Sequence, residues 1–207
     1  MKAQTKHWNY FYKKKKLTIK PTNFAKFCLN YLNKTEMVYD VGCGNGRDVV
    51  FFNNNNIQCY GIDSSKIAIN NNKKKFKRLR KKFIMANFCN YKFSNKSKNN
   101  LSIYSRFTIH AIKKKDENLF FKTILSKKNL NYLFIETRTI YDDLYGKGIK
   151  IGKDQFINGH YRRFIDPQDF KKKLKRKFNI SYFKISRDFA KFKNENPCVL
   201  RIVAKKK

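Results

Sequence analysis

Gly42, Gly44 and Gly46 stand at alternate positions in YDVGCGNGRD (Tyr39–Asp48), directly after an apolar run and with Asp40 two residues ahead of the first. A glycine-rich turn between a strand and a helix lets backbone N–H groups approach a ligand, because no Cβ stands in the way. The dinucleotide fingerprint GxGxxG does this for a pyrophosphate. Here the pattern is GxGxG, and the Asp40 carboxylate disfavours a pyrophosphate and suits a ligand carrying a positive charge. Asp63 closes CYGID about 20 residues after the first glycine, where an acidic residue at the end of a second strand binds two ribose hydroxyls. Helix capping is the alternative role for Asp63, and Ser64 or Ser65 can take it instead. A tight strand–helix turn with no ligand is the plainer alternative for the glycines.

The elements that must position these residues alternate. PTNFAKFCLNYL has helical spacing with Thr22 or Asn23 as cap, MVYDVG is a strand ending at the glycines, and GRDVVFFNNN is a helix. IQCYGID follows as a strand, SSKIAINNNKKKFKRLRKK as one helix, and KFIMANF as a third strand. LSIYSRFTIHAI begins as a strand, DENLFFKTILSKK is an amphipathic helix, and NLNYLFIETRTI is a strand again. Residues 139–165 read as a long irregular insertion, and DPQDFKKKLKRKF as a helix with Asp166 as cap and Pro167 in its first turn. Two strands close the chain with no helix between them. This order predicts one α/β domain over residues 1–207, with a mostly parallel sheet and an antiparallel strand at one edge.

Composition bounds the partners. The chain has 49 Lys+Arg against 14 Asp+Glu, a formal net charge of +35, and 16% aromatic residues, too many for a disordered chain. Such a charge points to nucleic acid or to weak contact with an anionic membrane surface. The alternative is compositional: Lys, Asn, Ile, Phe and Tyr are what an AT-rich genome over-supplies, and lysine runs are usually solvated faces. Five scattered cysteines without a CxxC, and only three histidines, exclude a zinc site by spacing and suit free thiols in a reducing cytoplasm. The basic start MKAQTKHWNYFYKKKK lacks an apolar core, and no run approaches the roughly 20 apolar residues of a membrane span. The expected location is cytoplasmic.

VYDVGCGNGRD followed by GIDSSKIAI resembles motifs I and II of the class I S-adenosylmethionine-dependent methyltransferases. The likeness runs from about Phe24 to Val203. It implies a Rossmann-like seven-stranded sheet, mostly parallel with one antiparallel edge strand, and helices on both faces. It also implies S-adenosylmethionine as cofactor, held by Asp40, Gly42, Cys43, Gly44, Gly46, Asp63 and Ser64. Family members often place an acidic residue at the adenine edge after the third strand; here that position is Asn87, whose amide can still accept from an amino group. SRFTIHAI, ETRTIYDDLYGKG and NGHYRRFID further resemble bacterial members linked to sugar or surface-polysaccharide methylation.

In such a fold the acceptor sits beyond the fourth strand, at the carboxyl edge of the sheet. IYSRFTIHAI carries no NPPY or DPPY motif, and the tetrad of RNA ribose methyltransferases is not evident. Arg106, His110 and His160 are the candidate catalytic residues. Glu136, Arg138, Tyr161, Arg162 and Arg163 are candidate substrate contacts, with two arginines beside a histidine forming a clamp for carboxylate or phosphate. Each has a plainer alternative: a core histidine at 110, an ion pair between Glu136 and Arg138 or Arg106, and a solvated loop at HYRRF. Residues 1–35 form a helical cap, in which Trp8, Tyr10 and Tyr12 either cover the cofactor or simply pack on the sheet. The reading is O-methylation of an acidic or phosphate-linked small molecule or sugar, without a metal. RNA methylation is the alternative.

Overall fold

The computed structural model describes residues 2–14, 17–93, 99–191 and 195–207. Helix α1 (Lys2–Lys14) and α2 (Asn23–Leu29) precede β1 (Glu36–Val41), α3 (Arg47–Asn54), β2 (Gln58–Asp63), α4 (Lys66–Lys75) and β3 (Phe83–Met85). Next come β4 (Asn100–Arg106), α5 (Lys114–Leu125) and β5 (Leu130–Arg138). Three short strands follow, β6 (Ile149–Gly152), β7 (Gln155–Asn158) and β8 (His160–Arg163), then α6 (Pro167–Lys175), β9 (Phe178–Ser186) and β10 (Val199–Lys206).

The main sheet has seven strands in the order β3-β2-β1-β4-β5-β10-β9. Pairs among β1 to β5 are parallel, while β10 is antiparallel to both β5 and β9. The antiparallel strand therefore lies one place in from the edge, not at it: β10 slots beside β5 and leaves β9 outermost. This corrects the edge position expected from the sequence. Strand alternation divides the core. Met37, Tyr39 and Val41 of β1 share a cluster with Phe120 and Ile124 of α5 and Phe170 and Leu174 of α6. Val38 shares another with Phe24 and Cys28 of α2, Val49 and Phe52 of α3, and Ile69 of α4.

Two segments differ from their sequence reading. The helix expected over residues 64–82 stops at Phe76 (φ −108°, ψ 65°) and continues as a 3-10 helix, Lys77–Lys82. The Phe76 ring stacks on Phe83 of β3 at 5.9 Å. A continuous α-helix would instead align Lys73 with Lys77 and Lys74 with Arg78, like-charge pairs four apart that destabilise it. The insertion at 139–165 is not irregular either: β6, β7 and β8 pair antiparallel as a small separate sheet.

Polar anchors hold the carboxyl edge in place. Thr22 caps α2 by accepting from the Ala25 N–H, and it donates through its own N–H and hydroxyl to buried Asp48 at 2.8 and 2.9 Å. The Tyr104 hydroxyl of β4 donates to the same carboxylate at 2.8 Å. Of the basic runs, one lies on α4 and the 3-10 helix beside edge strand β3 and another on α6 beside edge strand β9, with further lysines ending α1 and opening α5. Glu36, Asp40, Asp48, Asp63, Glu117, Glu136 and Asp142 are buried, so many of the few acids do not offset surface lysine. All five cysteines are free and buried, and among the described residues no helix is long and apolar enough to cross a membrane.

Candidate active site

The glycine turn is built by backbone that other residues cannot adopt. Gly42, Gly44 and Gly46 have φ of 76°, 54° and 72°, in the left-handed region. Each also lies against a side chain. A Cβ on Gly42 would stand 2.5 Å from the Thr108 hydroxyl, one on Gly46 would stand 2.6 Å from the Phe83 ring, and one on Gly44 would overlap the Tyr12 hydroxyl. The turn is clamped to its neighbours. Gly42 and Cys43 donate to the Ile62 carbonyl at 2.7 and 3.1 Å, and the Asn72 amide of α4 donates to the Gly44 carbonyl at 2.8 Å.

Asp63 joins two loops. Its carboxylate accepts from the Gly44 N–H at 2.9 Å and the Ser65 N–H at 2.8 Å. Ser65 caps α4, accepting from the Ala68 N–H, while Ser64 is exposed. Burial raises the Asp63 pKa, and the N–H groups of Ser65, Gly44 and Ser64 work against that rise. Asp40 lies deeper. Burial first, then the carboxylates of Asp48 and Asp63, hold its pKa well above the usual range, with Arg106 and Arg47 opposing. Three acids around one turn make a place where a cationic ligand is stabilised and an anionic one is not. The Cys43 thiol faces Gly61 inside the core, so only its backbone borders the turn. Asn87 accepts from the Cys89 N–H at 3.1 Å, capping a short 3-10 turn.

The end of β4 is strained. Phe107 has φ of 55°, which a bulky residue adopts only when its surroundings impose it. Its N–H donates to the Glu136 carbonyl, and the guanidinium groups of Arg106 and Arg138 lie 4.4 and 5.6 Å from its ring centre. Glu136 is fully engaged, accepting from Arg106 Nε at 2.9 Å and Arg201 Nε at 2.5 Å. Arg138 is engaged too, donating to both oxygens of Asp142 and to Glu195.

Strand β8 separates the residues of HYRR. Tyr161 and Arg163 are buried on one face, and His160 and Arg162 are half-buried on the other. Arg163 pairs with Glu117 of α5 and reaches the Ile109 and Ile112 carbonyls. Glu117 is itself buried, and Arg163 and Lys173 hold its pKa down against the effect of burial. Arg162 donates to the Asn158 carbonyl at 2.7 Å and forms no ion pair among the described residues. The two arginines therefore do not form one clamp.

All three histidines meet beside Arg162. His7 of α1 stacks on His160 at 4.6 Å, and Trp8 lies 5.2 Å from the same ring. His110 is buried, with Nδ1 3.3 Å from the Thr137 hydroxyl. Burial, then Arg162, His7 and Arg138, push the His160 pKa down to about 3. Burial, then Arg138, Arg162, His160 and Arg163, hold His110 well below the ordinary histidine value. Both rings are neutral at neutral pH. They can accept a proton, and their basicity would rise beside an anion seated on Arg162.

Helix α1 bridges the two groups of residues. Asn9 accepts from the Ser65 hydroxyl at 2.8 Å, Gln4 donates to the Ala111 carbonyl at 2.6 Å, and Asn71 donates to the Tyr12 carbonyl at 3.3 Å. Tyr10 points outward, 64% exposed. Asn9, Asn72 and Phe107 were not legible as site residues. The asparagines stand in a chain where that residue is common, and no spacing announces a phenylalanine forced to positive φ.

Comparison with known proteins agrees with this geometry. Residues 38–126 match the family described as methyltransferase domain. This segment, less than half of the chain, is similar to a methyltransferase domain. The match begins in β1 and ends just after α5, so it takes in the glycine turn, Asp63 and Asn87. It leaves out α1, the whole of β5 and the small sheet. No curated protein matches the chain. Among solved structures, an S-adenosylmethionine-dependent methyltransferase from Methanosarcina mazei aligns with a TM-score of 0.72 at 17% identity, over 87% of this chain and 96% of the other. One from Anabaena variabilis aligns with a TM-score of 0.70 at 15% identity, over 100% and 94%. The glycopeptide N-methyltransferase MtfA, complexed with S-adenosylmethionine, aligns with a TM-score of 0.63 at 10% identity, over 89% and 86%. At these identities the likeness is one of fold, and fold does not choose the acceptor.

Proposed function

We infer that the chain methylates a small acidic acceptor, a sugar or a phosphate-linked small molecule, at oxygen. Arg162 carries this reading: among the described residues it forms no ion pair with a carboxylate, and it lies on the face of β8 that also holds His160, with His110 close by. S-adenosylmethionine supplies a methyl group on a positively charged sulfur, which becomes neutral when the methyl leaves. On this reading the acids around the glycine turn bear the cofactor's positive charges: Asp40 faces the ammonium and sulfonium side, Asp63 the ribose, and Asn87 the adenine edge. Gly42, Cys43, Gly44, Gly46 and Ser64 present backbone to it. Arg162 holds the acceptor's anionic group and so orients its hydroxyl. His160 or His110 takes the proton the hydroxyl loses. Glu136, Arg138, Tyr161 and Arg163 support this wall without touching the acceptor, because their polar groups are committed within the protein, while Arg106 gives only its Nε to Glu136 and keeps its other N–H groups for the acceptor side. The buried free thiols fit a reducing cytoplasm.

RNA methylation rests on the +35 charge. The basic runs are spread over α1, α4, α5 and α6 and are not gathered on one element, which favours the small acceptor. The test is transfer of labelled methyl from S-adenosylmethionine to sugar phosphates, sugar acids and total RNA. Labelling of an acidic sugar that is lost in Arg162→Ala supports the reading. Labelling of RNA alone overturns it.

A further inference from the structure

Tyr12 reaches into the place where the cofactor assignment needs open space. Its hydroxyl lies so close to Gly44 that a Cβ there would overlap it, and its Cζ and Cε1 would stand 3.2 and 3.6 Å from that Cβ. Part of the ring is exposed, but the hydroxyl is enclosed. Burial, then Asp63, Cys43 and Asp40, hold the phenol well above the ordinary tyrosine range. Those are the groups assigned above to the methionine and ribose parts of the ligand. A tyrosine and a ligand cannot both fill that volume.

The helix that carries Tyr12 is lightly held. None of residues 4–14 is fully buried, and the helix is anchored through polar contacts of Gln4, of Asn9 with Ser65 and Ile67, and of the Tyr12 carbonyl, plus the ring contacts of His7 and Trp8 with His160. Elements with few buried contacts open at low cost. Trp8 and Tyr12 stand four residues apart, on one face of the helix, with ring centres 6.3 Å apart. Lifting one off the turn therefore shifts the other.

We propose that α1 is a gate on the cofactor cleft: the closed helix seats Tyr12 over Gly44, and the cofactor enters by displacing it, which also draws His7 and Trp8 off His160. This rests on the cofactor reading. Its consequence is an order of binding. The ring of His160 is stacked beneath His7 while the gate is closed, so the acceptor wall opens after the cofactor has entered. Apparent affinity falls by the fraction of molecules that are open, so a gate closed in about ten molecules to one weakens binding about tenfold.

Trp8 is the lone tryptophan and reports on the gate directly. S-adenosylhomocysteine is titrated into the full chain while Trp8 emission and calorimetric heat are followed, for wild type, Tyr12→Ala and Asn9→Ala. Asn9→Ala loosens the helix without touching the glycine turn, so it carries the test if Tyr12→Ala does not fold. Expected are a red shift of Trp8 emission on saturation of wild type, binding tightened about three- to tenfold in Tyr12→Ala, and a smaller gain in Asn9→Ala. Heat of binding with unmoved Trp8 emission, together with weaker binding in Tyr12→Ala, makes Tyr12 a ligand contact; it overturns the gate and leaves the cofactor reading intact. No heat in wild type or in either variant overturns both.

Discussion

The candidate site has two walls, and they are built by different means. From β1 to α5 the wall is mostly backbone: three glycines at positive φ, a turn clamped by Asp63 and Asn72, and buried acids behind it. From the end of β5 through β8 the wall is side chains, and nearly every charged one is already paired. Glu136 serves two arginines, Arg138 serves two acids, and Arg163 serves Glu117. Arg162 is left over because strand alternation turns it away from α5. A backbone wall tolerates little change and binds one cofactor. A side-chain wall can be re-specified by a single residue, which is how one fold serves many acceptors.

The largest effect expected is on the backbone wall. Gly44→Val forces a branched side chain into left-handed backbone and onto Tyr12, and calorimetry should detect no S-adenosylhomocysteine binding. Retained binding would mean the turn is not the recognition element. Next is the pair of neighbours in β8. Arg163→Ala leaves Glu117 buried with less compensation and should cost about 3–5 kcal/mol, the range for breaking a buried pair. At roughly 2–4 °C per kcal/mol for a chain of this size, that is a fall of about 6–20 °C in Tm. Arg162→Ala should move Tm little and lower turnover at least tenfold, about 1.4 kcal/mol, with cofactor affinity unchanged. Equal thermal losses in the two variants would erase the distinction that alternation draws.

The smallest effect concerns pH. His110 and His160 have folded pKa values below the unfolded value near 6.5, so folding favours their neutral forms. The stability they contribute is fully present above pH 6.5. It is lost as pH falls from there through the folded values, about 3 for His160. His160→Asn should therefore show a shallower decline of Tm between pH 6.5 and 4 than wild type. A parallel decline would mean that His160 is solvated. If His160 is the base, kcat/KM, which reports the free enzyme, should stay level as pH falls through the ordinary histidine range, because that ring has a pKa of about 3 in the folded chain.

Much of the backbone wall was legible in the sequence because its signal is local. Alternate glycines after an apolar strand fix a turn through φ alone, and Asp63 follows at the end of the next strand. Asp166 announced its helix cap by residue type, and of the two candidates Thr22 and Asn23 the structure uses Thr22. Alternating strands and helices gave the parallel sheet, since a parallel pair needs a crossover. Other features depended on distant partners. The sequence could not place β10 between β5 and β9, because long-range pairing decides which edge a final hairpin joins. It did not break the helix at Phe76: the like-charge pairs were there to read, but the stacking of Phe76 on Phe83 of β3 was not. It could not separate Arg162 from Arg163, because the register of a four-residue strand against α5 decides which one meets Glu117. Nor could it set Tyr12 over Gly44: an amphipathic terminus states that a helix packs somewhere, and only the fold supplies the surface it packs on.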